Sequence, residues 1–125
     1  MKKNLIAFIY MLLAVLLMPA HISAYSEQEA KMNVVLTKYN SPMAGYEDKL
    51  IKLAEDRGLD WTLLAAIAGT ESSFGKRMPA GCLNPYGWGI HGDNKLCFES
   101  FEKAAAAVAD GLSKKYNTTS LEVLS

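Results

Sequence analysis

The chain has 125 residues, half of them apolar, and its 13 basic and 13 acidic side chains leave no formal net charge. A single domain is the expectation for this length. A neutral chain without a basic block or a glycine-rich phosphate loop is untypical of nucleic-acid-binding proteins, so we expect no nucleic-acid partner.

The first 24 residues have the pattern of a secretory signal peptide. Two lysines begin it, an apolar run follows over residues 5–18, and residues 22–24 (ISA) offer a cleavage site. A membrane-spanning helix needs roughly 20 apolar residues, so an uncleaved anchor is the less favoured alternative. We therefore expect a secreted protein, periplasmic or cell-wall associated, with its domain at residues 25–125 and no stable membrane span after cleavage.

Cys82 and Cys97 are the two cysteines of the chain. In an exported protein an isolated pair favours a disulfide, and a reactive thiol is the weaker alternative. The bridge would close a loop of about 15 residues, worth about 3 kcal/mol in the chain-entropy model. One of the two histidines, His21, lies in the signal peptide, so we expect no metal site and no cofactor.

Two helices are predicted at the start of the domain. Ser26 and Glu29 form a capping box that predicts a helix to about residue 39. The second helix is predicted over residues 46–57, with Gly58 as its C-terminal cap. The side chains predicted to face inward are Met32, Val35, Leu36 and Tyr39 in the first helix, and Leu50, Ile51, Leu53 and Ala54 in the second.

Asp60 is predicted to cap a third and strongly apolar helix. Trp61, Leu64, Ala68 and Glu71 recur there at helical spacing, which predicts Glu71 on the buried face. Burial disfavours the charged form of a carboxylic acid. A protonated acid near neutral pH is what a general acid for glycoside cleavage requires. The alternative is a glutamate at a helix end that turns to solvent.

Residues 75–97 lack a helical period and are rich in Gly, Pro, Asn and aromatic residues. A long irregular loop in a small domain is usually functional. Residues 86–90 (YGWGI) are predicted to form a short strand or a bent wall, whose glycines let the backbone approach a ligand.

Ser100 is predicted to cap a fourth helix that runs to about Tyr116. Residues 117–120 (NTTS) are predicted to break it, and Leu121 to begin another helix. The chain stops soon afterwards, which suggests a product truncated at the C-terminus. The predicted fold is all-α, with a disulfide-framed irregular loop or small hairpin.

Three segments together resemble one enzyme superfamily. Residues 71–75 (ESSFG) resemble the catalytic helix end of the lysozyme-like superfamily of peptidoglycan-cleaving enzymes. Lytic transglycosylases and goose-type lysozymes have Glu-Ser-x-Phe at this place. Residues 84–90 (NPYGWGI) resemble the segment Asn-Leu-Phe-Gly-Ile of flagellar-type N-acetylglucosaminidases, and residues 98–104 resemble the segment after it. The resemblance covers residues 61–116.

The resemblance implies a lysozyme-like fold and a glycosidase that cuts β-1,4 bonds in peptidoglycan glycan strands. By carry-over, Glu71 is the general acid, and Ser72 helps to orient the site. For Ser72 the alternative is a helix-end hydroxyl that bonds back to the backbone. We expect a monomer whose partner is the glycan strand.

A sugar platform is implied for Asn84, Tyr86 and Trp88, since aromatic faces stack on pyranose rings and an amide suits an N-acetyl group. The alternative for the two aromatic residues is packing beneath the loop. Tyr116 could reach the cleft, as a tyrosine does in many relatives, or it could be the last core residue of its helix.

Hydrolytic glycosidases ordinarily use two carboxylates. Asp93 is the first candidate for the second one, with a plain turn residue as its alternative, and Glu99 is the other candidate. Lytic transglycosylases need only one carboxylate, because the C6 hydroxyl of the substrate attacks and an anhydro product forms. The transglycosylase pattern usually continues to a Gly-Leu-Met-Gln-like segment, whereas in this chain residues 87–90 (GWGI) are followed by His91. This difference favours the glucosaminidase branch. An inactive wall-binding module and an accidental resemblance are the remaining alternatives.

Overall fold

Helices form in every segment where apolar residues recur at helical spacing, and the fold is all-α, as predicted. The computed structural model describes residues 1–17 and 26–123, apart from the side chains of residues 17 and 117–123. The predicted cleavage site at residues 22–24 lies outside the described residues. The helices are α1 (Lys2–Leu17), α2 (Glu27–Lys38), α3 (Glu47–Glu55), α4 (Leu63–Ser72) and α5 (Phe101–Val123).

Helix caps lie where the sequence predicts them in three helices. Ser26 Oγ accepts a hydrogen bond from the Glu29 amide (3.1 Å), and the Glu29 carboxylate accepts one from the Ser26 amide (3.4 Å), which completes the capping box of α2. Gly58 follows α3 in the left-handed region, with φ of +69°. Ser100 Oγ accepts from the amide of Lys103 (3.1 Å) at the start of α5.

The inner face of α2 is narrower than predicted. Met32 and Leu36 are buried, whereas Val35 and Tyr39, also predicted to face inward, are 40% and 45% exposed. The reason is that α2 packs mainly against one helix, α3, which covers a single stripe. In contrast, α3 packs against α2, α4 and α5, and its predicted inner face is confirmed. Its buried side chains are Leu50, Ile51 and Ala54, and Leu53 is partly buried.

The start of α4 differs from the prediction. Asp60 does not cap the helix itself, because its carboxylate accepts a hydrogen bond from the Thr62 amide (2.8 Å) and closes a turn before Leu63. The two hydrogen bonds from Thr62 also lower the pKa of Asp60. The helix therefore begins at Leu63.

The end of α4 is a sharp turn with a left-handed backbone. Ser73 and Phe74 have φ of +51° and +57°, values that residues other than glycine rarely adopt. The Phe74 ring lies against Gly69, where an added Cβ would be 2.7 Å from the ring Cζ. Ser41 Oγ donates to the Phe74 carbonyl (2.7 Å). These contacts fix the direction in which the chain leaves α4.

Helix α5 is longer than predicted and completes the core through its buried Ala104, Ala105, Val108 and Ala109. The predicted break at residues 117–120 and the new helix at Leu121 are wrong, because α5 continues to Val123. Asn, Thr and Ser are weak helix formers, but each costs only a fraction of a kcal/mol, whereas Gly or Pro would cost more.

Helix α1 occupies the apolar run near the N-terminus. Its side chains over residues 2–16 are exposed. None of the helices in the described ranges is both long and apolar enough to cross a membrane.

Candidate functional site

The loop between α4 and α5 folds over the end of α4 and leaves an open cleft. The cleft has a volume of about 540 Å³. One helix-end side chain and five consecutive or nearly consecutive loop residues form its walls. They are Glu71, Tyr86, Gly87, Trp88, Gly89 and His91.

The predicted disulfide between Cys82 and Cys97 is confirmed and holds the two ends of this loop segment together. The two Cα atoms are 4.8 Å apart, and the residues are separated by 15 positions in the sequence. Cys82 is buried and Cys97 is exposed. The cleft residues from 86 to 91 therefore lie within a covalently closed loop.

Removal of this disulfide should destabilise the domain measurably. For the double variant Cys82→Ser/Cys97→Ser we expect a loss of about 3 kcal/mol in the free energy of unfolding, because the unfolded chain regains the entropy of an open loop. That loss corresponds to a fall in Tm of at least about 10 °C for a domain of this size. Thermal unfolding followed by circular dichroism measures it. An unchanged Tm would mean that the disulfide does not restrict the unfolded chain.

Glu71 lines the cleft but is exposed, so its predicted burial is wrong. The buried side chains of α4 are Leu64, Ala65, Ala68 and Ser72. At 100° per residue, Glu71 lies about 60° from Ala68, on the side away from Ser72. The centre of the buried face therefore lies between Ala68 and Ser72, and Glu71 lies at the border of that face, where the loop leaves space.

The Glu71 carboxylate makes no hydrogen bond or ion pair with another described residue. Its close neighbour is the backbone of Gly87, which has φ of +61°. A Cβ added at Gly87 would lie 3.3 Å from Glu71 Oε2, a tight contact. Glycine at this position thus provides both the left-handed turn and the space beside the acid.

Ser72 joins the end of α4 to the loop and does not line the cleft. It is 3% exposed. Its hydroxyl donates to the Pro85 carbonyl (2.6 Å), with the Ala68 carbonyl also in range (3.1 Å), and accepts from the Gly75 amide (2.8 Å). The Ser72 hydroxyl is thus bonded to the backbone of its own helix, which was the alternative given for it. It also joins the end of that helix to the loop at Pro85.

Asn84 is buried beneath the loop, so the expectation that its amide reaches a sugar is wrong. Its Nδ2 donates to the carbonyls of Trp88 and Leu96 (both 2.8 Å). Its Oδ1 accepts from the amides of Tyr86 (3.3 Å) and Trp88 (3.2 Å). The side-chain amide takes the place of backbone partners in a segment that has no helix or strand.

Tyr86 and Trp88 line the cleft, as the sugar-platform prediction requires, but each is also held by packing. Trp88 is half-buried, and the six-membered side of its indole lies on α5 at Gly111, where there is no room for a Cβ. Tyr86 is 4% exposed. Its buried hydroxyl has no hydrogen-bond partner among the described residues, and burial raises the pKa of Tyr86.

The unpaired hydroxyl of Tyr86 gives a prediction of unusual sign. Tyr86→Phe should leave the free energy of unfolding unchanged or raise it by about 1 kcal/mol, because a buried polar group without a partner is costly and phenylalanine removes it. Chemical denaturation of the two proteins measures the difference. A loss of stability on removing the hydroxyl would show that it has a partner in solution, such as a bound water molecule.

Three further candidates are not among the residues that line the cleft. Asp93 is exposed in the tight turn between His91 and Asn94, which form an isolated antiparallel bridge, and it does not line the cleft. Glu99 pairs with Lys103 on α5, and this contact lowers the pKa of Glu99. Tyr116 is 59% exposed on α5 and neither lines the cleft nor belongs to the core. The structure thus does not bring Asp93 or Tyr116 into the lining of the cleft, and their predicted roles stay predictions.

His91 lines the cleft and was missed by sequence reasoning. A single histidine has no spacing pattern that marks it as a site residue. The feature of the sequence that could have marked His91 as a site residue was its position between residues 87–90 and Gly92. Gly92 has φ of +60° and lies at the start of the turn that reverses the chain.

Known proteins provide no further assignment of the site. No protein-family model, no curated protein and no solved structure matches this chain. Among the described residues, no group of three or more His, Cys, Asp or Glu side chains is arranged to hold a metal ion. The function is therefore proposed below from the chemistry of the cleft and from the sequence.

Proposed function

We propose that the protein is an exported enzyme that cleaves the β-1,4 glycan backbone of peptidoglycan, with Glu71 as its general acid. The observation that carries the proposal is one unpaired carboxylate in an open cleft, beside an indole ring and a closely approaching glycine backbone. The signal-like N-terminus and the disulfide support export, because disulfides persist in oxidising compartments.

The chemistry assigned to Glu71 is proton transfer to the glycosidic oxygen. As the bond between C1 and that oxygen breaks, the leaving sugar keeps the bonding electrons and takes the proton from Glu71. A nucleophile then attacks C1 and returns its own proton to the Glu71 carboxylate. The nucleophile is water in a hydrolase and the C6 hydroxyl of the same sugar in a lytic transglycosylase.

Because Glu71 is exposed, a bound substrate would have to shield its carboxylate from water. A glycan strand that fills the cleft would exclude water from the carboxylate and bring the glycosidic oxygen next to it. Trp88 would supply an apolar surface for a pyranose ring. The absence of side chains at Gly87 and Gly89 would allow the glycan strand to lie close to the Glu71 carboxylate. The proposed acid thus acts when the cleft is occupied.

A lytic transglycosylase is the second candidate, and a specific observation favours it. Of the described residues that line the cleft, Glu71 is the one carboxylate, since Asp93 lies in a turn and Glu99 pairs with Lys103. Hydrolysis ordinarily needs a second carboxylate, whereas intramolecular attack by the C6 hydroxyl does not. The resemblance of residues 84–90 to the glucosaminidase segment, followed by His91, favours the N-acetylglucosaminidase reaction instead. An inactive wall-binding module with the same cleft is the third candidate.

Digestion of purified peptidoglycan with the protein, followed by mass analysis of the soluble products, tests these candidates. Reducing N-acetylglucosamine ends would identify a glucosaminidase, and reducing muramic acid ends a muramidase. Anhydro-muramic ends would identify a lytic transglycosylase. Wall binding without any released product would contradict the enzyme and support the binding module.

A further inference from the structure

His91 is a second exposed polar side chain in the cleft that contains Glu71. The two residues come from different elements, since Glu71 ends α4 and His91 lies far along the loop. Tyr86 also lines the cleft, but its hydroxyl is buried. Glu71 and His91 are thus the two ionisable side chains among the lining residues that solvent, or a ligand, can reach.

The backbone that presents His91 is fixed on both sides. Its amide donates to the Asn94 carbonyl and its carbonyl accepts from the Asn94 amide, both at 3.1 Å, across a turn that begins at Gly92. The returning segment is held by the Leu96 carbonyl, which accepts from Asn84 Nδ2 (2.8 Å). A side chain on such a support needs little further ordering when it binds a ligand.

The imidazole of His91 has no hydrogen-bond partner among the described residues. His91 is exposed, and its side chain makes no hydrogen bond or ion pair with the described part of the chain. A neutral imidazole offers one donor and one acceptor. Sugar hydroxyls and N-acetyl groups present the matching donors and acceptors.

We propose that His91 is a substrate-binding residue of this cleft, which hydrogen-bonds a hydroxyl or N-acetyl group of the glycan bound beside Glu71. The proposal rests on the proposed function and deepens it. Of the two residues in this turn, His91 lines the cleft, whereas Asp93, which the sequence suggested as a second carboxylate, is not among the lining residues. Binding, rather than proton transfer, is the role assigned.

Steady-state kinetics on soluble glycan fragments of peptidoglycan test the role. For His91→Ala we expect KM to rise about tenfold with a smaller change in kcat, the effect of losing one hydrogen bond to a neutral group. His91→Gln should recover part of the loss, because its amide also donates and accepts. Asp93→Asn is the matched control in the same turn, with KM within about twofold of the unchanged protein. Thermal unfolding of each variant confirms that the fold is retained.

A binding measurement separates failure of this proposal from failure of the proposed function. Titration of an N-acetylglucosamine oligomer into Glu71→Gln, and into Glu71→Gln/His91→Ala, should give about tenfold weaker binding to the second protein. If peptidoglycan is never cleaved but this difference persists, the enzyme is contradicted and the role of His91 stands. Equal affinity for the two proteins, binding to neither, or an equal effect of Asp93→Asn would overturn the role of His91.

Discussion

Replacement of Glu71 by Gln should reduce glycan cleavage by about a thousandfold or more and leave the fold intact. Glutamine has nearly the same shape but no acidic proton, and a positioned general acid contributes about 10²–10⁴-fold to the rate. Glu71 is exposed and makes no ion pair with a described residue, so its replacement removes no packing or pairing that stabilises the domain. We therefore expect the free energy of unfolding to change by no more than about 0.5 kcal/mol.

Release of soluble fragments from purified peptidoglycan, measured together with sedimentation of the protein with the insoluble wall, distinguishes catalysis from binding. The Glu71→Gln protein should still sediment with the wall. Glu99→Gln is the matched control, because it makes the same change at an exposed glutamate that pairs with Lys103 and is not one of the residues that line the cleft. Full cleavage by Glu71→Gln would remove Glu71 as the acid, and equal losses in both variants would show that the effect is not specific to the cleft.

Local signals in the sequence predict the helical part of the fold well. The capping box of Ser26 and Glu29, the glycine at 58 and the cap at Ser100 each act within a few residues, so no knowledge of the rest of the chain is needed to interpret them. The disulfide between Cys82 and Cys97 was predicted from the count of cysteines and the predicted export signal, and the structure confirms it. These features are determined by short-range chemistry and by composition.

The orientation of side chains around the cleft depends on tertiary contacts and was predicted less well. On α4 the buried face is rotated by part of a turn from the predicted stripe, so that Glu71 is exposed. Helical periodicity alone does not resolve such a rotation. In the loop there is no period at all. The sequence therefore could not show that Asn84 bonds to four backbone groups or that His91 lines the cleft.

Asn84 holds the backbone of the loop that forms the cleft through four hydrogen bonds. Its side-chain amide forms hydrogen bonds with the backbone N–H groups of Tyr86 and Trp88 and with the backbone carbonyls of Trp88 and Leu96. These groups have no partner from a helix or strand. Truncation of a buried hydrogen-bonding side chain leaves its partners unsatisfied, at about 1–3 kcal/mol for each buried group. The disulfide cannot replace these bonds, because it joins Cys82 to Cys97 and supplies no hydrogen-bond acceptor to the amides of Tyr86 and Trp88.

Asn84→Ala should therefore lower the free energy of unfolding by about 3–4 kcal/mol. The same change should abolish cleavage even under conditions where the variant is folded, since Tyr86, Trp88 and His91 lose their support. Asn94→Ala is the matched control, with the same change of side chain in the same loop, and its exposed amide should cost no more than about 0.5 kcal/mol. Urea denaturation and peptidoglycan digestion of both variants test this. If the two variants are equally stable, the four hydrogen bonds of Asn84 do not hold the loop.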